Sequence, residues 1–222
     1  MSFQDRADAG RRLARALAGY KGQQPVVLAL PRGGVSVAAE VAAALDAPLD
    51  VILVRKIGVP FQPELAMGAV VVGDEPLIVR NEAVIRHAGI GEAAFQAVCD
   101  SELAEIERRR QRYLGGRERI EVAGRSAIVI DDGIATGATM RAALRATRLR
   151  KPKKLILAVP VAPTDSLAVM RREADEIVCI EAHADLGAIG YYYSDFRAVP
   201  DEAVIALLAQ FPVRKEKPQS AA

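Results

Sequence analysis

A run of acidic, small and hydroxyl side chains directly follows an apolar segment, Ser126–Ile130, in the middle of the chain. The run reads Asp131-Asp132-Gly133-Ile134-Ala135-Thr136-Gly137-Ala138-Thr139. If the apolar segment is a strand and a helix starts near Gly137, unpaired amides at the helix N-terminus suit a phosphate dianion. The threonines add hydroxyl donors, and the small residues let the backbone approach a bound phosphate.

The two adjacent carboxylates, Asp131 and Asp132, would stand at the carboxyl end of the strand, the edge where ligands gather in open α/β sheets. There they could accept hydrogen bonds from vicinal ribose hydroxyls and hold magnesium through water. The run therefore predicts a site for a ribose 5-phosphate group. The alternative is an ordinary turn between strand and helix, whose Asp and Thr side chains only satisfy the helix start. The full run favours the ligand site.

A second candidate loop, Leu30-Pro31-Arg32-Gly33-Gly34, follows the first apolar segment of the chain. Arg32 supplies a charged donor, and Gly33 and Gly34 would expose amides at a helix start, which together suit a pyrophosphate. A plain turn explains this sequence equally well when it is taken alone. Its place after a predicted strand, like that of the acidic run, favours a second phosphate site.

Charged side chains near the end of the second apolar segment are weaker candidates. Arg55 and Lys56 would lie against the pyrophosphate, where charge builds up on the leaving group, and a solvated strand end is the alternative. Glu64 is a candidate site acid, although exposed glutamates are common. Two rival phosphate motifs fail: the chain has no Gly-x-x-x-x-Gly-Lys-Ser/Thr, and no Gly-x-Gly-x-x-Gly follows the first strand.

Aromatic side chains are concentrated near the C-terminus, where four of the ten Tyr and Phe residues fall within positions 191–196. Tyr191 and Tyr192 could stack on an acceptor ring, with Asp195 as a hydrogen-bond acceptor. A small aromatic core or a subunit contact is the alternative, and it is slightly favoured. His183 is nearby, but a lone histidine is not evidence of catalysis.

Continuous apolar segments of strand length alternate with helical patterns along the chain and would position these loops. The segments are Val26–Leu30, Leu49–Val54, Ser126–Ile130, Leu155–Val159 and Glu176–Ile180. They lack polar alternation, as strands covered on both faces do. The helical stripes between them contain Val35, Ala38, Ala42 and Leu45, and Met140, Ala143, Leu144 and Thr147. This alternation predicts an α/β fold, with a parallel sheet and right-handed crossovers.

The regular alternation breaks at about residues 57–123, which are interpreted as an insertion that forms an arm or lid. This part contains glycine and proline punctuation and short strands at about Ala66–Val72 and Leu77–Val79. A long charged helix at about Glu92–Leu114 follows, with Phe95, Cys99, Leu103 and Ile106 on one side.

Composition bounds the class of protein. The chain has 222 residues, 51% of them hydrophobic, enough for one domain with its own core. Its 30 basic and 28 acidic residues give a net charge of +2, without the excess of a dedicated nucleic-acid binder. The two cysteines, Cys99 and Cys179, are expected to be buried thiols in a reducing compartment. No signal-peptide pattern and no apolar run of roughly 18 residues is present, so we expect a cytoplasmic protein without a membrane partner.

The acidic run resembles the signature of the type I phosphoribosyltransferase family, which is an apolar run, two acids and a loop ending Thr-Gly-x-Thr/Ser. The resemblance is carried by Ile128–Thr139. It implies that Ala135–Thr139 hold the 5-phosphate and that Asp131 and Asp132 face the ribose hydroxyls. It also implies that Arg32-Gly33-Gly34 form the pyrophosphate loop, often with a cis peptide bond near the glycines.

The resemblance brings a fold expectation as well, which is a five-stranded, mainly parallel sheet flanked by helices under a variable hood. In this chain the hood is expected at about residues 182–214, together with an N-terminal helix, Asp5–Ala18. Residues 1–214 would then form a single domain that includes the insertion. The polar stretch 215–222 is expected to be disordered.

The activity that the resemblance implies is magnesium-dependent transfer from 5-phosphoribosyl-1-pyrophosphate to a small-molecule acceptor such as a nucleobase. Ala135 stands where family members acting on 6-oxopurines carry an aspartate, which weakens that acceptor class, although adenine-type members also carry alanine. The acceptor stays open, as does assembly into a homodimer. One alternative is a non-catalytic regulatory protein that binds the same donor or a nucleotide, and another is phosphorolysis or hydrolysis of a ribose phosphate.

Overall fold

The computed structural model describes residues 2–72 and 76–212, whose strands form a larger and a smaller sheet. The strands are β1 (Val26–Ala29), β2 (Leu49–Val51), β3 (Val54–Val59), β4 (Gln62–Val72), β5 (Pro76–Arg80), β6 (Ser126–Ile130), β7 (Lys154–Pro163) and β8 (Glu176–His183). The larger sheet is parallel throughout, with the five strands in the order β2-β1-β6-β7-β8. The predicted α/β fold is therefore confirmed, and a small antiparallel sheet accompanies it.

Helices flank the larger sheet. They are α1 (Arg6–Ala16), α2 (Gly33–Leu45), α3 (Glu82–His87), α4 (Glu92–Leu114), α5 (Ala138–Leu149), α6 (Thr164–Met170) and α7 (Asp201–Ala209), with 3₁₀ helices at Ala18–Tyr20 and Ile189–Tyr192. In the described parts of the chain, none of these helices has both the length and the apolar character that crossing a membrane requires.

Strands β1 and β6, which are neighbours inside the larger sheet, are buried along their whole length because helices cover both faces of the sheet. The predicted stripe of α2 packs into the core on one face, and that of α5 packs into the core on the other. Strands β1 and β6 are paired in parallel register, with Ala29 opposite Ile130. The loops that follow them, into α2 and α5, consequently start side by side at the carboxyl edge.

The predicted second strand, Leu49–Val54, is wrong at its C-terminal end. Strand β2 pairs with β1 only as far as Val51, opposite Ala29, where β1 itself ends. The chain then leaves the parallel sheet, and Val54 pairs with Val71 in the antiparallel sheet β3-β4-β5.

The inserted part consists of the antiparallel sheet with α3 and α4, and it covers one side of the core. Helix α4 ends at Leu114, as predicted, and Phe95, Cys99 and Ile106 on its inner side are buried. The second cysteine, Cys179, is only half-buried, and both thiols are free.

The N-terminal segment is tied to the chain beyond β8. Phe3 forms an isolated parallel bridge with Tyr193, and the amide of Ser194 donates to the carbonyl of Phe3 at 2.8 Å. This pairing places the start of α1 against residues 192–195. The predicted disordered stretch 215–222 lies outside the described residues.

Candidate active site

The loop from β6 to α5 turns its small and hydroxyl residues outward. Its middle residue, Ile134, is buried in the core, and the Ile134 amide donates to the carbonyl of Val161 at 2.9 Å. The exposed positions are Ala135, Thr136, Ala138 and Thr139. Ile134 therefore anchors the loop. The four exposed residues belong to the predicted phosphate-binding run and face solvent at the helix N-terminus, whereas Gly133 and Gly137 are buried.

Gly137 directly precedes α5 as its N-cap and adopts the left-handed backbone region, with φ of 76°. A Cβ at this position would lie 2.7 Å from Cε of Met170, so both the conformation and the space favour glycine. The glycine turn lets the amides of the first turn of α5 point toward the open loop, as a bound phosphate would require.

The carboxylate pair at the end of β6 lies beneath this loop. The Asp132 amide donates to Asp131 Oδ1 at 2.9 Å, so the first carboxylate folds back on the second residue. Burial, reinforced by the negative charge of Asp132, raises the pKa of Asp131 well above its ordinary range. Asp132 is instead held by a cation, because Arg6 Nε donates to Asp132 Oδ2 at 2.7 Å.

The raised pKa of Asp131 predicts that D131N is more stable than the parent protein near neutral pH. The stability that this carboxyl contributes is present below its ordinary pKa, roughly 4, and is lost as the pH rises through the raised value. Asparagine cannot ionise, and its Oδ1 can still accept the Asp132 amide. Thermal unfolding at several pH values should show a higher melting temperature for D131N than for the parent. Each kcal/mol added to the free energy of unfolding should raise it by about 2–4 °C.

The advantage of D131N should grow from about pH 4 toward neutrality. The matched control is D165N, which removes an exposed carboxylate at the start of α6 and should follow the parent protein. A D131N melting temperature at or below that of the parent over the whole range would contradict the prediction.

The loop after β1 touches the acidic pair. Helix α2 begins at Gly33, as predicted, and the peptide bond between Pro31 and Arg32 is cis. A Cβ at Gly33 would overlap the Asp132 carboxylate, and one at Gly34 would lie 2.9 Å from Cα of Asp131. The structure thus brings the two predicted phosphate loops into direct contact.

The Arg32 side chain is exposed beside the same loop. Its Nη1 lies 3.8 Å from Asp201 Oδ1 at the start of α7. Asp201 also accepts the hydroxyl of Tyr113 at 2.6 Å, and burial together with this bond raises the pKa of Tyr113 to about 12. The long contact leaves the Arg32 guanidinium able to turn toward an anion at the glycines.

The sequence analysis placed Arg55 and Lys56 at the end of a parallel strand, and this prediction is wrong. Both residues lie inside β3 of the antiparallel sheet. Arg55 Nε donates to Glu102 of α4 at 2.6 Å, and Lys56 Nζ donates to Glu64 at 3.0 Å. These residues line a cavity of about 490 Å³ between β3, β4 and α4. Glu64, the predicted site acid, is almost fully exposed.

The aromatic run near the C-terminus contributes a different residue from those predicted. Tyr191 is 73% exposed, and the Tyr192 ring lies 4.6 Å from that of His183. Asp195 forms an ion pair with Arg197, at 2.6 Å. Of these three residues Tyr191 is exposed, whereas Tyr192 and Asp195 are half-buried.

Tyr193 is the buried member of the run, and its hydroxyl donates to the backbone carbonyl of Asp132 at 2.6 Å. Its ring stacks on that of Phe196 at 4.9 Å and packs against Phe3 at 5.3 Å. The small aromatic core considered as an alternative is therefore present. It contacts the acidic pair through the hydrogen bond from Tyr193 to the Asp132 carbonyl.

Arg6 contacts the candidate site and was not predicted from the sequence. It lies in the first turn of α1, and 126 positions separate it from its partner Asp132. The two residues are too far apart in sequence for a motif to predict their contact. In the structure, the N-terminal segment pairs with residues 192–195 and so brings Arg6 to Asp132. Among the described residues no cluster of three or more His, Cys, Asp or Glu side chains forms a metal site.

Comparisons with known proteins show the family to which the chain belongs. A model of the phosphoribosyl transferase domain matches residues 2–195 of the chain. A protein of Mycobacterium tuberculosis H37Rv, provisionally named a phosphoribosyl transferase, is 49% identical over 206 residues, which are 93% of this chain and 46% of that protein. Its counterpart in strain CDC 1551 gives the same values. The chain thus spans about half the length of these curated relatives.

A solved structure extends the likeness to three dimensions. The crystal structure of the protein TT1426 from Thermus thermophilus matches with a TM-score of 0.83 at 40% sequence identity. The match covers 96% of this chain and 100% of that one.

Proposed function

The chain belongs to the phosphoribosyl transferase family, and on that premise we propose that it transfers the ribose 5-phosphate group of 5-phosphoribosyl-1-pyrophosphate to an acceptor, with release of pyrophosphate. The observation that carries this proposal is the contact between the two loops. Gly33 lies against the Asp132 carboxylate, so a ligand that fills both loops has its ribose and its pyrophosphate next to each other.

In this proposal each loop holds one part of the donor. The exposed backbone of Ala135–Thr139 and the hydroxyls of Thr136 and Thr139 bind the 5-phosphate at the N-terminus of α5. Asp131 and Asp132 accept hydrogen bonds from the ribose hydroxyls. The backbone of Gly133 lies between the acids and the phosphate loop.

The second loop receives the leaving group. The amides of Gly33 and Gly34 at the start of α2 and the guanidinium of Arg32 neutralise the pyrophosphate. Arg55 and Lys56 are proposed as further contacts of the pyrophosphate, and in the structure they form ion pairs with Glu102 and Glu64.

The reaction is displacement of pyrophosphate at the anomeric carbon by a nucleophile, with inversion and an oxocarbenium-like transition state. The protein's work is then positioning and charge stabilisation. The carboxylates of Asp131 and Asp132 are hard oxygen donors, and together with pyrophosphate oxygens and water they fit a magnesium ion. When bound, magnesium would offset the negative charge that develops on the leaving group.

The acceptor is the open part of the proposal. Tyr191, Tyr192 and Asp195 remain its proposed contacts, and the exposed Tyr191 ring is the one that can stack on a planar group. Ala135 offers no carboxylate for a 6-oxopurine, so an acceptor without that requirement is favoured. A cytoplasmic location follows as part of the same proposal, since donor and magnesium are expected there.

Exchange of labelled pyrophosphate into the donor, in the presence of magnesium and a panel of nucleobases and other nitrogen nucleophiles, tests the activity. Label entering the donor with one acceptor class identifies a transferase and its substrate together. A melting temperature raised by donor and magnesium, without exchange for any acceptor, would instead favour the regulatory alternative. Absence of both exchange and stabilisation would refute the donor site itself.

A further inference from the structure

Arg6 is held at the acidic pair by three separate contacts. Its Nε donates to Asp132 Oδ2 at 2.7 Å, and its Nη1 donates to the carbonyl of Arg197 at 2.9 Å. The guanidinium also lies over the ring of Phe196, with 3.9 Å between Cζ and the ring centroid. Only 12% of the Arg6 side chain and 14% of that of Asp132 are exposed.

This combination requires an arginine. A planar guanidinium can donate in two directions while its face stacks on an aromatic ring, whereas a lysine ammonium offers a single compact charge. The contacts come from different parts of the chain, because Asp132 follows β6 while Phe196 and Arg197 follow the aromatic run. The side chain is consequently fixed before any ligand binds.

The guanidinium also lies where the two phosphate loops meet. A Cβ built on Gly33 would be 2.9 Å from Arg6 Nε, so the cation borders the start of the proposed pyrophosphate loop as well as the ribose acid. Burying an ion pair costs desolvation that its attraction does not fully offset, so such a pair is weak evidence for a purely stabilising role. A role in the site explains its position better.

Resting on the proposed function, we propose that Arg6 is a positioning residue for the donor. It fixes one oxygen of Asp132 and so directs the other oxygen toward a ribose hydroxyl. The donor site is thereby completed by the N-terminal helix, and docking of that helix on residues 192–195 sets how tightly the ribose is held.

Calorimetric titration with 5-phosphoribosyl-1-pyrophosphate and magnesium tests this role in the parent protein, R6M, R6K and the control R12M. Arg12 lies on the same helix but does not pair with Asp131 or Asp132. It forms an ion pair with Asp8 at 2.9 Å and lies over the Phe3 ring. We expect R6M to raise Kd by at least about tenfold, as loss of a charge-assisted hydrogen bond does. R12M should bind like the parent.

R6K keeps the positive charge and is expected to stay folded. It therefore separates a loss of donor binding from a loss of the folded state if R6M unfolds. Its melting temperature should stay near that of the parent, while its Kd rises about fivefold because the ammonium cannot make the same contacts. In turnover, the donor KM should rise more than kcat falls.

A parent protein that binds the donor, with R6M and R6K binding equally well and only melting lower, would overturn the role of Arg6 and leave the proposed function intact. A parent protein that does not bind the donor would overturn both.

Discussion

The double variant D131N/D132N is expected to lose pyrophosphate exchange by about 1000-fold while it stays folded. Each carboxylate is proposed to accept a ribose hydroxyl, and two lost charge-assisted hydrogen bonds at roughly 2 kcal/mol each give a factor of that size. Asparagine has nearly the same shape as aspartate, and its Oδ1 at position 131 can still accept the Asp132 amide, so the fold should persist. Exchange of labelled pyrophosphate and circular dichroism measured together check both parts.

The control for this variant is D46N/D100N, which removes the same charge from two exposed positions. Asp46 ends α2, and Asp100 accepts from Gln96 on α4. That double variant should exchange pyrophosphate at the parent rate. Unchanged exchange in D131N/D132N would refute the proposed role of the acidic pair, whereas loss of the circular dichroism signal would show a structural role instead.

The secondary structure that sequence reasoning predicted correctly around the candidate site is local in the chain. The apolar strand Ser126–Ile130, the loop after it and the helix beginning after Gly137 are fixed by residues within a few positions of each other, so their types alone predict them. The same holds for the start of α2 at Gly33. That the two loops touch follows from the parallel pairing of β1 with β6. The alternation of strands and helices predicts a parallel sheet but not which of its strands are neighbours.

The parts that were missed depend on contacts between distant residues. Arg55 and Lys56 directly follow the continuous apolar segment Leu49–Val54, which predicts a single parallel strand that ends beside them. The sequence of this segment does not show that Val54 pairs with Val71. Arg6 meets Asp132 across 126 positions. Such contacts are set by the packing of the whole chain, which no short motif encodes.

The aromatic run illustrates the same limit at single-residue resolution. Its concentration near the C-terminus was recognised, yet the buried and hydrogen-bonded member is Tyr193, while its neighbour Tyr191 is exposed. Three consecutive tyrosines look alike in sequence. Which of them points inward is decided by the bridge between Phe3 and Tyr193.

Alanine at Gly33 is expected to weaken donor binding while the chain still folds. The added Cβ would overlap the Asp132 carboxylate and approach Arg6 Nε, so the Asp132 side chain would have to swing away and leave its ion pair with Arg6. The free energy of unfolding should fall by about 1–2 kcal/mol, because this ion pair is mostly buried. Since Asp132 would leave its proposed place on the ribose, Kd for the donor should rise about 10- to 100-fold, measured by calorimetric titration.

Alanine at Gly34 should behave differently, because its Cβ would lie 2.9 Å from backbone atoms of Asp131 and Ile130 that cannot swing away. We expect a loss of about 1–3 kcal/mol in the free energy of unfolding in addition to weaker donor binding. The control is Gly19→Ala, where a Cβ would meet nothing within 4 Å. Donor affinity unchanged in G33A would contradict the proposed contact between ribose acid and pyrophosphate loop, because that contact leaves no room for a side chain between them.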